Sequence, residues 1–185
     1  MARKQPEVTA ATRAKLVAAF WRLYAERPIE KVRVADITGL AGYNRSTFYE
    51  YFADVPQILE SEEQALVELV EGHAKETDAF DPAQMLSAIS EIYEANGDKI
   101  ALLLGERGDP GFARMFKDAL FPAFRELRGA PCDERASLVF EFGISGLLAA
   151  FAQWRDDENR MPAEDFAVLM RSVVTSGTVP TLQDL

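Results

Sequence analysis

A run of polar and aromatic side chains, Asn44–Phe52, contains the residues of this chain best suited to specific chemistry. It reads Asn-Arg-Ser-Thr-Phe-Tyr-Glu-Tyr-Phe. An arginine can bond a guanine edge or a phosphate, hydroxyl groups can reach phosphates, and an aromatic ring can pack against the sugar-phosphate wall. This combination of residue types favours a surface that contacts double-stranded nucleic acid.

Two helices separated by Gly42 would have to position these side chains. Val34–Phe52 predicts a helix, a glycine turn and a second helix, which is the format of a helix-turn-helix whose second helix enters the DNA major groove. We expect Asn44 to cap the second helix, and Phe48 and Phe52 to face inward. The alternative is an ordinary helical hairpin with polar outer residues.

The flanking sequence predicts two further helices. Thr12–Glu26 has apolar residues at helical spacing, and Pro28 ends that helix. After Phe52, Asp54 can cap a helix that tolerates Pro56 in its first turn.

This order of elements resembles the TetR family of bacterial transcriptional regulators over about residues 12–60, with a weaker echo at Gly143–Trp154. The matching residues are Leu16, Ala19, Leu23, Tyr24, Val34, Ile37, Gly42, Thr47, Phe48, Tyr49, Tyr51, Phe52, Ile58 and Leu59. The resemblance implies an all-α protein with an N-terminal three-helix, helix-turn-helix head. It also implies a C-terminal helical-bundle body that dimerises through its last two long helices and releases DNA when an effector binds.

Three positions depart from the family pattern. Val55 stands where relatives usually have a phosphate-binding lysine. Arg33 stands where a hydroxyl residue commonly caps the second helix of the family, which corresponds to the helix that begins at Val34 here. The first helix normally ends in glycine, but here Pro28 follows Arg27. The phosphate contact is then expected from Arg33, Lys31 or a backbone N–H. The predicted DNA-binding residues are Arg33, Asn44, Arg45, Ser46, Thr47, Tyr49 and Tyr51.

The charge of the chain is divided unevenly along its 185 residues. Residues 1–52 hold nine basic and five acidic residues, a net of +4, whereas the remaining 133 hold 11 basic and 25 acidic residues, a net of −14. A basic head can bind phosphates while an acidic body limits non-specific binding. This division predicts a DNA-binding domain at 1–53, and the resemblance implies a ligand-binding and dimerisation domain at 54–185.

Composition argues against several other classes of protein. A single cysteine, Cys132, excludes an internal disulfide framework and fits the reducing cytoplasm. With one histidine, His73, the chain has no plausible zinc cluster, cofactor site or nucleophile–base pair, so we expect no enzyme. No signal peptide is visible, and the apolar run Phe142–Ala152 is short for a membrane span.

The body reads as helical throughout. The predicted segments are 54–76, 82–95, a short apolar stretch at 99–104, 112–127, 138–152 and a last helix from Pro162. In Leu138–Ala152 only Glu141 and Ser145 are polar, so this helix must be covered on nearly every side. The simplest cover is the chain's own core on one side and a second subunit on the other; the alternative is a central helix within a monomer.

Small residues of that helix and an apolar seam on the last helix would form a four-helix bundle with a second copy. The predicted interface residues are Gly143, Gly146, Leu147, Ala150, Trp154, Phe166, Leu169, Met170 and Val173. Such a dimer would present two recognition helices to a roughly palindromic site.

Nine of the twelve phenylalanines follow residue 79, which suggests either core packing or an aromatic-lined effector cavity between helices. The candidate pocket residues are Met85, Ile89, Tyr93, Phe112, Phe116, Phe140 and Glu141. Glu141 is expected to bind a polar group of an effector or to pair with an arginine across the dimer; the alternative is exposure at the bundle edge.

Taken with the resemblance, these features predict a ligand-responsive repressor that binds double-stranded DNA as a homodimer. The alternative is a protein-interaction co-regulator of the same fold that lacks strong DNA binding, which Val55 and the acidic body favour.

Overall fold

A computed structural model describes residues 6–76, 82–105, 108–128, 133–173 and 176–177, and the secondary structure within these ranges is helical. Eight α-helices and one 3-10 turn, Ile29–Lys31, follow one another in these ranges. The α-helices are α1 Pro6–Glu26, α2 Val34–Ala41, α3 Arg45–Tyr49, α4 Val55–Glu76, α5 Pro82–Leu104, α6 Pro110–Arg128, α7 Glu134–Asp156 and α8 Ala163–Val173. The predicted all-α class is confirmed.

Two compact units divide within α4, between Ala65 and Leu66. The N-terminal unit, Met1–Ala65, is built on side chains that are at most 1% exposed: Leu16, Phe20 and Tyr24 of α1, Ile37 of α2, Phe48 of α3 and Ile58 of α4. The α1 residues recur every four positions, so they form one stripe along the helix. Each of the four helices thus contributes to one small core, which fixes α3 in place.

Local capping sets the boundaries of the short helices. Gly42 ends α2 with a φ of 76°, a left-handed conformation that glycine adopts without steric cost, and its N–H bonds to the Thr38 carbonyl. Asp54 Oδ1 accepts the N–H of Gln57 at 2.9 Å, and Gln57 Oε1 accepts the N–H of Ala53 at 2.6 Å. The predicted glycine turn and the predicted Asp54 cap are both confirmed.

Several helices are longer than the sequence patterns predicted; α7, for example, spans Glu134–Asp156 rather than 138–152. The first, α1, begins at Pro6 rather than Thr12, and α5 runs unbroken through Asn96-Gly97-Asp98, where we expected a break between 95 and 99. A glycine inside a helix costs about 1 kcal/mol, but Gly97 is buried and the following Ile100 and Leu103 are buried too. Burial of such side chains contributes about 1.5–3 kcal/mol each, which outweighs the glycine penalty.

The C-terminal unit packs α5, α6 and α7 against one another. Its buried side chains include Leu103 of α5 and the neighbouring rings of Phe112 and Phe116 on α6, whose centroids lie 5.6 Å apart. The last helix, α8, meets the end of α7 through Phe166, which stacks on Trp154 with ring centroids 4.5 Å apart.

The seventh helix is largely uncovered. The stretch Glu134–Arg155 has a mean hydropathy of 1.5, and only 6% of its most apolar part is buried. By length and composition alone this stretch could cross a membrane, although its longest apolar run, Phe142–Ala152, is short for a membrane span. Its middle, however, carries Glu141 and Ser145, which are hydrogen-bonded to each other and to Lys117.

Candidate functional site

The start of α3 is organised by the side chain of Asn44. Its Oδ1 accepts the Thr47 backbone N–H at 2.9 Å, the Thr47 hydroxyl at 2.9 Å and the Ser46 hydroxyl at 2.6 Å. The predicted N-cap is therefore confirmed. Because one oxygen gathers three donors, the cap also fixes the two hydroxyl side chains beside it.

The side chains of α3 separate into an outer and an inner set. Arg45 and Ser46 are exposed, and Tyr49 is 59% exposed. Phe48 is fully buried and Phe52 is 4% exposed, with ring centroids 5.7 Å apart, as the sequence predicted. The inner rings anchor a helix of only five residues, so the outer side chains are held on one surface.

The remaining predicted contacts differ in their exposure. Tyr51 and Thr47 are half-buried, and Arg33 is an exposed residue that precedes α2 without a side-chain capping bond. Val55 is 7% exposed and packs into the N-terminal core, so the position of the usual lysine has become a hydrophobic contact. A phosphate contact at the start of α4 would have to come from another group.

Two basic residues of the N-terminal unit form ion pairs with acidic residues. Arg27 bonds Asp36 at 2.9 Å, and Arg13 lies 3.6 Å from Glu62. Residues 53–65 contain four acidic residues and no basic ones, which brings Met1–Ala65 to nine residues of each sign and a net charge of zero. The basic excess therefore belongs to residues 1–52, including Arg3 and Lys4 ahead of α1, and not to the entire unit.

Part of the predicted effector pocket is packed rather than open. Phe112 is fully buried and Phe116 is 7% exposed, while the Phe140 ring lies edge-on to Phe121 at 5.1 Å. The side chains of Met85, Ile89 and Tyr93 lie outside the described residues. A surface pocket of about 340 Å³ is instead lined by Ala113, Arg114, Lys117, Asp118 and Glu141.

The Glu141 carboxylate has hydrogen-bond partners within the same chain. Its carboxylate accepts hydrogen bonds from Lys117 and, at 3.0 Å, from Ser145. The hydrogen bond from Lys117 is the largest cause of a lowered pKa for Glu141, and the bond from Ser145 is the next. Within one chain the carboxylate is therefore paired with a lysine from the neighbouring helix, α6, and binding to an effector or to an arginine across a dimer stays a prediction.

We expect Glu141→Gln to change stability by less than about 1 kcal/mol, because the pair is solvent-exposed. A lowered pKa means that the ionised pair stabilises the fold above the usual glutamate pKa of 4.5, and that this contribution disappears as the pH falls through the lowered value. Urea unfolding at neutral and acidic pH measures this, with Glu158→Gln as an exposed control. A variant that differs more from the wild type in acid than at neutral pH would contradict the assignment.

An apolar stripe runs along the exposed side of α7, and α8 has exposed apolar residues of its own. Phe142 is 81% exposed and Leu138 is 64% exposed, and Gly146 continues the stripe one turn later. On α8, Leu169 and Val173 are 45% and 57% exposed. Leu138 and Phe142 were not among the predicted interface residues, because the apolar pattern of α7 does not show which side of the helix faces the protein's own core.

The other predicted interface residues are less accessible. Gly143, Leu147, Ala150, Phe166 and Met170 are half-buried. Trp154 is 8% exposed, its ring stacks on Phe166, and its Nε1 donates to the Met161 carbonyl at 2.9 Å. The indole is therefore already covered inside one protomer, where it connects the end of α7 to α8.

Comparison with known proteins agrees with this architecture. No protein-family model and no curated protein matches the sequence. Among solved structures, a TetR transcriptional regulator from Streptococcus agalactiae 2603V is 24% identical, with a TM-score of 0.64, covering 91% of this chain and 96% of its own. The TetR family repressor AlkX from Dietzia sp. strain DQ12-45-1b is 17% identical, with a TM-score of 0.51, covering 100% and 99% of the two chains. The helix order, the glycine turn and the capped third helix are thus parts of a TetR-like fold, and this chain has that fold.

Proposed function

We propose that this protein is a DNA-binding transcriptional regulator. The observation that carries the proposal is the third helix: Asn44 caps it, Phe48 anchors it, and Arg45, Ser46 and Tyr49 lie on its outer surface. These exposed groups can bond base edges and phosphates. The two solved structures compared above are of transcriptional regulators, which supports the same role and supports the prediction that the chain is not an enzyme.

In this proposal, residues 1–53 bind DNA, and residues 54–185 dimerise and bind the effector. The first turns of α4 also belong to the N-terminal compact unit, since Val55 and Ile58 lie in its core. We place the protein in the cytoplasm, where its DNA target would be accessible.

The apolar stripe of α7 and the exposed apolar residues of α8 support a homodimer. An 81% exposed phenylalanine beside a 64% exposed leucine is unfavourable in water, and a second copy of the same two helices would cover both in a four-helix bundle. Within the described part of the chain, no atom beyond its own helix lies within 4 Å of the point where a Cβ on Gly146 would stand, so a partner helix could approach closely there. A two-fold dimer would match a roughly palindromic operator.

We also propose that the regulator is a repressor and that it responds to an effector. One of the two structural neighbours is described as a repressor, which supports that direction of control. The candidate effector site remains the helical body around Met85, Ile89, Tyr93, Phe112, Phe116 and Phe140. Because Phe112 and Phe116 are closely packed, an apolar effector that enters beside them has to displace these rings.

Binding to DNA from upstream of the protein's own gene, against scrambled DNA at several salt concentrations, tests the proposal. A specific complex with a steep salt dependence and two protomers per site is the expected result. A genome-wide selection extends the test to distant operators, and failure to enrich any sequence would contradict DNA binding.

Arg45→Ala is expected to weaken binding to the selected operator by about 1–3 kcal/mol, because Arg45 is exposed at the start of α3 and can make a bidentate base contact. Titration against the operator and a scrambled duplex measures the change in specificity. An equal loss for both duplexes would identify Arg45 as a phosphate contact instead. Arg135→Ala, which removes an exposed arginine from α7, is the matched control.

The second candidate is a protein-interaction co-regulator with the same fold. The burial of Val55 and the neutral charge of Met1–Ala65 favour it, because both reduce the positive charge available to phosphates. It predicts negligible DNA affinity that is insensitive to salt, together with a partner protein that contacts the dimer.

A further inference from the structure

A buried carboxylate links the first helix to the fourth inside the N-terminal unit. Glu62 of α4 is 7% exposed, and its Oε2 accepts the indole N–H of Trp21 at 3.1 Å. Arg13 of α1 lies on its other side, with Nη1 3.6 Å from Oε1. Arg13 Nη2 also donates to Ser61 Oγ at 3.2 Å, so two adjacent residues of α4 are held by one guanidinium.

The same guanidinium reaches toward the recognition helix. Its central carbon lies 5.3 Å from the centroid of the Phe52 ring, a cation–π distance. Phe52 in turn packs on Phe48, which anchors α3. Arg13 therefore contacts α4 on one side and, through two aromatic rings, supports α3 on the other.

Two consequences follow from this geometry. A buried carboxylate is unfavourable without its partners, so Glu62 holds Arg13 and Trp21 in place and keeps the start of α4 against α1. Arg13 is also one of the nine basic residues that make residues 1–52 positive, and its side chain is 44% exposed while its guanidinium pairs with Glu62. We expect this pairing to hold the guanidinium against α4, so that Arg13 releases no counterions from DNA.

We propose that Arg13 and Glu62 are positioning residues for DNA binding, which set the place of α3 relative to α1 and α4 without contacting DNA. The proposal rests on the DNA-binding function proposed above. Under this proposal, Arg13 holds the recognition helix in place, whereas other basic residues of the head contact phosphates.

The test compares Arg13→Gln with Arg22→Gln, which removes the same charge from an exposed position of α1. We expect Arg13→Gln to weaken binding to the selected operator by on the order of tenfold, with an unchanged salt slope, and Arg22→Gln to have an effect below about threefold. Adding Glu62→Gln to Arg13→Gln should restore part of the affinity. The double variant removes the buried negative charge that Arg13 faces, and the amide oxygen introduced by Glu62→Gln can still accept the indole N–H of Trp21.

Amide hydrogen exchange of the full-length protein without DNA gives an independent readout. Arg13→Gln should speed exchange at the Tyr51 and Phe52 amides, which bond the Phe48 carbonyl, and leave α6 and α7 unchanged. A salt slope reduced by about one would show that Arg13 is a phosphate contact and overturn the proposal. Unchanged affinity and unchanged exchange would overturn it as well.

These outcomes are distinct from failure of the proposed function. If the wild type prefers no DNA sequence, the DNA-binding proposal fails, and the role of Arg13 in that binding fails with it. If the wild type binds its operator and Arg13→Gln behaves like Arg22→Gln, only the positioning role is wrong.

Discussion

Phe142→Asp is expected to abolish the proposed homodimer and leave a monomer at micromolar concentration. Phe142 is the most exposed large hydrophobic side chain of the described residues, at 81%, and it lies at the centre of the stripe between Leu138 and Gly146. In a two-fold dimer this position meets the partner's α7, so the variant would bury two unpaired carboxylates at a single interface. Sedimentation velocity over a range of concentrations measures the change.

The same variant should lose most of its operator affinity. A dimer engages both half-sites at once, and the gain from such linked binding is on the order of 10²–10⁴ in affinity. Met115→Asp, which places the same charge at a 37% exposed apolar position of α6, is the matched control and should stay dimeric. A dimeric Phe142→Asp protein would show that α7 does not form the interface.

Phe48→Ala is expected to destabilise the N-terminal unit by about 3–5 kcal/mol. The ring is fully buried, and its centroid lies 5.7 Å from that of Phe52 and 5.5 Å from that of Tyr49. Its removal leaves a cavity beneath a five-residue helix that has little stability of its own. Urea unfolding followed by a probe in the N-terminal unit, such as Trp21 fluorescence in a Trp154→Phe background, measures the loss.

Two companion variants separate stability from DNA contact. Phe48→Leu keeps most of the apolar volume and should cost less than the alanine variant. Tyr49→Ala removes a 59% exposed ring, so it should leave the unfolding midpoint nearly unchanged while weakening DNA binding. Equal unfolding midpoints for Phe48→Ala and Tyr49→Ala would contradict the anchoring role of Phe48.

The helix-turn-helix was predictable because its signals are local. Gly42 supplies the left-handed turn, and Asn44 and Asp54 accept backbone N–H groups three residues further along the chain. The inward direction of Phe48 and Phe52 follows from helical spacing in the same way. Residues within one or two turns of each other fix these features, so the sequence is sufficient to find them.

The body was harder to predict because its signals are ambiguous. Gly97 looked like a helix break, yet burial of Ile100 and Leu103 keeps α5 continuous. The nearly all-apolar pattern of α7 predicted that it must be covered, but the pattern could not show which side its own core covers. Trp154 accordingly lies inside the protomer, whereas Phe142 lies outside.

The all-α class, the glycine turn, the capped third helix and the residues on its outer surface could all be found from the amino-acid sequence. Packing in three dimensions was needed to establish that Arg13 turns toward Glu62, that Glu141 is paired with Lys117, and that Phe142 is the most exposed part of the apolar stripe. The physical reason is the range of the interactions. Caps and turns form between residues that are close in the sequence. The contacts of Arg13 with Glu62 and of Glu141 with Lys117 join helices that are far apart in the sequence, so they form only when those helices pack.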